Sequence, residues 1–302
     1  MLEKVSAQIG AIIDELQNNP AKEMFAGVSG GKMLRPRLML KISQNERIHE
    51  LAAIVELIHI ASLLHDDVID SSSLRRKKPT INALHGDKTA VMLGDILYSK
   101  AFSKLTTFDA KIAAKISSAV TVLSLGELED DNMSAEMNLD EDRYLKMLYG
   151  KTGSLIEAAA VSAAMLENID TKGIEKYSKS LGVAFQIIDD VLDITADEAA
   201  LGKKPFSDFK EGKTTLPYMH LYKNGNNEVK KFLESIYKQD LDETQRVRLL
   251  GLFASHGSIE YTLHKAKEIT LGGLSALKDS DIDAKLKVEL EEVAKKQLER
   301  LF

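Results

Sequence analysis

Two apolar runs in this sequence each end in a triplet of aspartates, and no other feature restricts the fold as tightly. Asp66, Asp67 and Asp70 follow "IVELIHIASLLH", and Asp189, Asp190 and Asp193 follow "FQII". The apolar spacing predicts helices, so each triplet falls near a helix C-terminus. There Asp66 stacks over Asp70, with Asp67 about 100° round the axis. Stacked carboxylates at that end repel one another and oppose the negative pole of the helix. A lone triplet of this kind is an ordinary solvated helix end. If two such helices face each other, six carboxylates line one cavity, which is tolerable only with divalent cations and a polyanion between them. Oxygen donors at this spacing suit Mg²⁺, which keeps several waters and is held by one or two carboxylates plus substrate phosphates. The chain has no cysteine, so a thiolate site is excluded and a disulfide framework with it.

The remaining sequence reads at helical period almost throughout, with 5 Pro, 18 Gly and no strand-like alternation bounded by turns, which predicts an all-α chain. Breaks are expected at Ser29-Gly30-Gly31, Ser71 to Ser73, Pro79, Gly86, Gly150, Lys172-Gly173, residues 202 to 217 and Asn224 to Asn227, giving ten or so helices. No linker or repeat divides the chain, so a single domain over residues 1–302 is expected. A net charge of −6 without a Lys/Arg block argues against a nucleic-acid partner. "MLEKVSAQIGAIIDELQNN" is an amphipathic helix rather than a signal peptide, and no run reaches the roughly 18 apolar residues of a span. The expectation is a cytoplasmic protein with at most peripheral membrane contact.

Cations for a polyanion flank the breaks and the aspartates. "GGKMLRP" carries Lys32 and Arg35, "LRRKKPT" Arg75 and Arg76, "YGKTGSL" Lys151 and Thr152, and "GKKPFSDFKEGKTTLP" Lys203 and Lys213. Arg grips phosphate bidentately and Lys acts as a point charge, so the set describes a diphosphate pocket.

These segments, with "HIASLLHDDVIDSSSLRRKKPTIN", "GDILYSKAF" and "FQIIDDVLD", resemble in order and spacing the motifs of trans-polyprenyl diphosphate synthases, over about residues 29 to 220. The resemblance implies an isoprenoid synthase fold, a bundle of long helices around a deep central cavity, usually as a homodimer. It implies about three Mg²⁺ per active site, with Asp66, Asp70 and Asp189 as the main ligands and Asp67, Asp190 and Asp193 in support. Lys32, Arg35, His59 and Arg76 match positions that bind isopentenyl diphosphate. Arg75, Lys151, Thr152, Gln186, Lys203 and Lys213 match those that grip the allylic diphosphate or face its cation, with Lys151, Thr152, Gln186 and Arg75 nearest the chemistry. His65 reads as structural. Two departures stand out: Lys77 where the family commonly has Gly, and Met33 where it has a basic residue. The C-terminal third resembles the family only weakly.

The reaction implied is ionisation of an allylic diphosphate, attack by isopentenyl diphosphate and loss of a proton. The growing tail would run back along the first aspartate-bearing helix past Ser62 or Ala61, then Ile58, then Ile54, about 18 Å from Asp66. In the family a bulky aromatic at the position of Ala61 or Ser62 floors the cavity. Here both are small, and the first motif lacks the two-residue insertion of many bacterial short-chain enzymes. A hexaprenyl to octaprenyl product is expected, with farnesyl diphosphate as starter, for a quinone side chain. The alternatives are a short-chain farnesyl or geranylgeranyl diphosphate synthase and, more remotely, a terpene cyclase or a non-catalytic synthase subunit. A cyclase usually mixes Asn, Ser or Thr with Glu in its second motif, and a non-catalytic subunit should have lost one motif. Asp130 and Asp131 read as a solvated face.

Overall fold

The structure, a computed structural model, describes residues 1–28, 30–196 and 205–299. Among the described residues the regular structure is helical apart from one short ribbon. The helices are α1 (Leu2–Asp14), α2 (Asn19–Gly27), α3 (Leu34–Ile42), α4 (Ile48–Ile69), α5 (Ile81–His85), α6 (Asp87–Leu105), α7 (Ala110–Ser134) and α8 (Glu141–Leu148). They continue as α9 (Ser154–Glu167), α10 (Lys172–Thr195), α11 (Ser207–Lys210), α12 (Leu216–Asn224), α13 (Asn227–Ile236), α14 (Glu243–Ser255), α15 (Ser258–Lys278) and α16 (Ala284–Leu298). Sixteen helices among the described residues exceed the ten or so expected, because short ones such as α5 and α11 lack enough residues to show a period. The chain forms two compact units. One comprises Met1–Thr121, Leu155–Glu175 and Leu277–Val293, the other Val122–Ser154, Lys176–Ala276 and Ala294–Phe302.

The first unit is organised on α4, which packs against α1, α3, α5 and α6. Residues 51 to 58 of α4 are all buried, and all but Glu56 are apolar, as a helix enclosed on every side requires. The spacing of α1 puts Val5, Ile9, Ile12 and Ile13 on its buried face. Helix α6 approaches α4 closely at Gly94, where an added Cβ would lie 2.3 Å from His65 Nε2. Beyond α4, "LRRKKP" departs from the helical pattern and forms a ribbon, β1 (Leu74–Arg75) against β2 (Lys78–Pro79), with Leu74 opposite Pro79 and Arg75 opposite Lys78. Its two-residue loop, Arg76-Lys77, has φ of 53° and 65°. Left-handed backbone at both central positions is the turn that matches strand twist and favours glycine or asparagine. Met33 has φ of 49° as well, so both departures from the family pattern occupy left-handed backbone.

In the second unit the break expected at Gly150 is instead a continuous helical passage. Tyr149–Gly153 forms a π-turn between α8 and α9, so Lys151 and Thr152 project from a helix and not a loop. Two glycine contacts hold that turn. A Cβ on Gly126 of α7 would lie 2.3 Å from the Lys151 backbone nitrogen, and one on Gly182 of α10 would lie 2.6 Å from Gly153 Cα. A π-turn widens the helix at the point where its side chains are used. Around it, Met147, Leu148, Ile187, Ile188 and Leu216 form one apolar cluster. A second cluster includes Phe209 and Tyr218, stacked 4.1 Å apart, with Phe253 edge-on to Tyr218. Among the described residues, no helix is long and apolar enough to cross a membrane.

The contact at Gly126 has no room for a methyl group and is made by backbone, which cannot rotate away. Gly126→Ala is expected to destabilise the protein by about 2–3 kcal/mol, read as a melting temperature about 3–5 °C lower in a thermal scan.

Candidate active site

In the first unit the C-terminus of α4 leaves carbonyls without helical partners. Sequence further along supplies donors for them. Asn82 Nδ2 donates to the Asp67 and Ser72 carbonyls at 3.1 and 3.0 Å, and Thr80 Oγ1 to Ser72 at 2.7 Å. The three aspartates differ in setting. Asp67 is buried and accepts a 2.7 Å hydrogen bond from Arg75 Nε, whereas Asp66 and Asp70 are half-buried. Burial pushes the Asp67 carboxyl up from its ordinary value, against the pull of Arg75.

A cavity opens beside this end of α4. Glu56, His59, Leu63 and Asp67 line it from the helix, Arg75, Arg76, Thr80 and Ile81 from the ribbon and α5, and Gly31 from the segment before α3. Burial holds the His59 imidazole well below its usual range, with Arg35, Arg76 and Arg75 adding to the effect. Arg35 is 8% exposed, its Nε has no hydrogen-bond partner, and burial lowers its guanidinium to about 10 against the opposing charges of Glu56 and Asp66. Lys32 is exposed, and its carbonyl accepts from Arg37 Nε at 2.8 Å. Further back on α4, Ile54, Ile58 and Ala61 have no exposed surface. Ser62 is buried, its hydroxyl donating to the His59 carbonyl at 2.8 Å. His65 Nε2 lies 3.1 Å from the Val91 carbonyl.

In the second unit a hydrogen-bonded chain crosses a second cavity. Thr152 Oγ1 donates to Gln186 Oε1 at 3.0 Å, Gln186 Nε2 donates to Asp190 Oδ1 at 3.0 Å, and the Tyr144 hydroxyl donates to Asp190 Oδ2. Lys151, Asp208, Lys213 and Asp130 line the same cavity. Burial, then the charge of Asp208, pushes the Asp190 carboxyl up to about 8. Lys151 Nζ sits between Glu127 Oε2 at 2.7 Å and Asp130 Oδ2 at 2.8 Å. Asp130 is therefore buried and ion-paired, not part of a solvated face; Asp131 is exposed. Lys213 Nζ pairs with Glu211 at 2.7 Å. Lys203 lies outside the described residues.

Asp189 is half-buried, while Asp193 is buried and anchors the segment that follows. Its Oδ1 accepts from Ser207 Oγ at 2.8 Å, its Oδ2 from the Asp208 amide at 3.2 Å, and its carbonyl from the Phe206 amide at 2.9 Å. Each triplet thus contains carboxylates tied by protein donors and others with accessible surface. Among the described residues no three Asp, Glu or His side chains form a metal site by themselves.

Sequence reasoning passed over Glu56, Glu127, Tyr144 and Asp208. Glu56 carried a signal, a lone acid inside the most apolar run. The others fall in ordinary helical spacing, and nothing local distinguishes them.

The Polyprenyl synthetase family profile matches residues 15–250. The octaprenyl diphosphate synthase of Escherichia coli is 35% identical over 257 residues, 82% of this chain and 80% of that protein. The crystal structure of octaprenyl pyrophosphate synthase from Helicobacter pylori superposes with a TM-score of 0.92 at 41% identity, covering 98% of both chains. Geranylgeranyl pyrophosphate synthetase from Pyrococcus horikoshii gives a TM-score of 0.89 at 30% identity, over 99% of this chain and 95% of that one.

The Asp190 carboxyl fixes a pH dependence. In the fold it keeps a proton up to about pH 8, whereas unfolded it releases one near 3.8, so its contribution to stability falls as pH rises through that window. Asp190→Asn removes the fall. In chelator-treated protein, urea denaturation should find parent and variant alike near pH 4 and the variant more stable by about 2–4 kcal/mol at pH 8.

Proposed function

The chain belongs to the polyprenyl synthetase family and is a prenyltransferase, a polyprenyl diphosphate synthase, and from that premise we propose that it makes a medium-length product, hexaprenyl to octaprenyl, in an Mg²⁺-dependent reaction. The observation that carries the chain-length reading is the small side-chain volume at Ala61 and Ser62, directly behind the first aspartates on α4. A tail passing them meets Ile58 and Ile54 and has about 18 Å of helix to run along. The likeness to octaprenyl synthases supports this, and the likeness to a geranylgeranyl synthase keeps a shorter product as the second reading.

Asp66, Asp70 and Asp189 are the proposed main ligands, because their half-buried carboxylates retain surface. Asp67, Asp190 and Asp193 support them while tied to Arg75, to Gln186 with Tyr144, and to residues 206 to 208. The donor set is all oxygen and carboxylates crowd about Asp190, which fits a hard divalent cation. Such a cation supplies charge neutralisation as the diphosphate departs.

In this mechanism Lys32, Arg35, His59 and Arg76 hold isopentenyl diphosphate. Arg75, Lys151, Lys213 and Lys203 hold the allylic diphosphate. The allylic C–O bond breaks and its electron pair leaves with the diphosphate. The alkene of isopentenyl diphosphate attacks the allylic cation, forming the new C–C bond, and the adjacent carbon loses a proton to the released diphosphate. Thr152 and Gln186, hydrogen-bonded to each other at 3.0 Å, are the proposed oxygen dipoles facing the cation, and fixed dipoles of that kind stabilise developing charge without reorganising. Lys151 approaches its ligand already aligned by Glu127 and Asp130.

The protein is further proposed to act as a homodimer in the cytoplasm, touching a membrane only to release product. Met92, Val91 and Ile96 give α6 an exposed apolar face, with Met92 56% exposed, a surface that a second copy would cover. Light scattering should return a molar mass near twice 33.4 kDa.

Incubation with Mg²⁺, farnesyl diphosphate and labelled isopentenyl diphosphate, then chromatography, tests the reading. Products beyond geranylgeranyl are expected. Nothing longer would remove the chain-length proposal, and no incorporation would remove the synthase reading. Ala61→Phe should shorten the product by at least one isoprene unit while turnover persists. An unchanged length would show that the tail does not pass Ala61.

A further inference from the structure

Glu56 sits where an acid is hardest to accommodate. It lies within residues 51 to 58 of α4, all buried, and is itself 3% exposed. Its Oε2 is shut off from solvent and has no hydrogen-bond partner. A carboxylate in that setting costs several kcal/mol unless opposite charge compensates it. The compensation comes from Arg35 and Arg76, whose positive charges oppose the upward push of burial on the Glu56 carboxyl. The relation is reciprocal, since Glu56 is the largest opposing charge for both guanidiniums, ahead of Asp66 for Arg35 and of Asp67 for Arg76.

The geometry gives that triangle a purpose. Glu56 and His59 stand one turn apart on the α4 face that lines the cavity, and Arg76 reaches the same cavity from the left-handed turn of the ribbon. Arg76 is seated against Gly31, where an added Cβ would lie 3.0 Å from its Nη1. Arg35, from α3, is itself buried, with Nε unsatisfied. Each guanidinium is thus contested by two acids, one belonging to the aspartate triplet and one not. Without Glu56, the pull of Asp66 on Arg35 and of Asp67 on Arg76 would no longer be opposed by this carboxylate.

We propose that Glu56 is a positioning residue for isopentenyl diphosphate, its carboxylate holding the Arg35 and Arg76 guanidiniums toward the cavity and away from the first aspartate triplet. The inference rests on the synthase reading and adds a residue to it. It also explains an acid beside an anion site. The direct repulsion between Glu56 and the diphosphate is outweighed by two correctly aimed arginines, each able to grip phosphate bidentately.

The test is steady-state kinetics of Glu56→Gln, which keeps shape and removes charge, and of Glu56→Asp, which keeps charge on a shorter stem. Glu56→Gln should raise the KM for isopentenyl diphosphate about tenfold or more, as loss of charge-assisted orientation requires. The KM for farnesyl diphosphate and kcat should stay within about twofold of the parent, and Glu56→Asp should recover part of the loss. Calorimetric titration of isopentenyl diphosphate alone into parent and Glu56→Gln should show the same tenfold weakening without turnover. A lowered or unchanged KM for isopentenyl diphosphate, or equal effects on both substrates, overturns the inference. If Glu56→Gln fails to fold, the Glu56→Asp kinetics decide alone, and parental constants there overturn it. A parent enzyme that neither binds nor consumes isopentenyl diphosphate overturns the synthase reading itself, and the positioning role falls with it.

Discussion

A charge removed from water has to be answered close by, and in each unit that requirement fixes where the functional side chains stand. Asp67 is answered by Arg75 from the ribbon, Arg35 by Glu56, and Lys151 by Glu127 and Asp130. Buried pairs of this sort add little net stability, because desolvation offsets the attraction. Their value is orientational. A guanidinium or ammonium already held by a carboxylate loses less freedom when a phosphate arrives. The ribbon's left-handed turn, Arg76-Lys77, follows directly on Arg75, the residue that answers Asp67.

The aspartate triplets do not behave as uniform blocks of charge. In each, the deeper carboxylates are engaged by the protein's own donors, and the others keep accessible surface. Asp193 shows how far this goes, since its side chain and carbonyl organise residues 206 to 208 and so set the position of Asp208. Helix-end repulsion, which looked like a liability, is divided between covalently near and spatially near partners.

Much of this could be read from the sequence. The period of the apolar residues identified α1, α4 and α10, and the aspartates fell at helix ends because their hydrophobic runs stop there. The arginine pair, Lys151 and Thr152 were found because each adjoins a glycine break or a carboxylate cluster. What escaped was pairing at long separation. Lys151 meets Asp130 across two helices, and Tyr144 meets Asp190 at a distance of 46 positions. Nothing local marks such contacts. Gly150 misled for a related reason. Glycine signals a turn when its conformational freedom is used, but here its missing side chain is used instead, to admit Gly126.

That contact also partitions what the protein can become. Between Gly126 and Gly182 the π-turn bearing Lys151 and Thr152 touches backbone on both sides, so any side chain added at either glycine collides with main chain. Along α4, Ala61 and Ser62 are buried residues that already carry small side chains, and such side chains can be exchanged for larger or smaller ones. Variation can therefore accumulate where the hydrocarbon is proposed to lie, while the groups proposed to face the departing diphosphate stay frozen in place. A scaffold arranged in this way is suited to diversify its products without reinventing its chemistry.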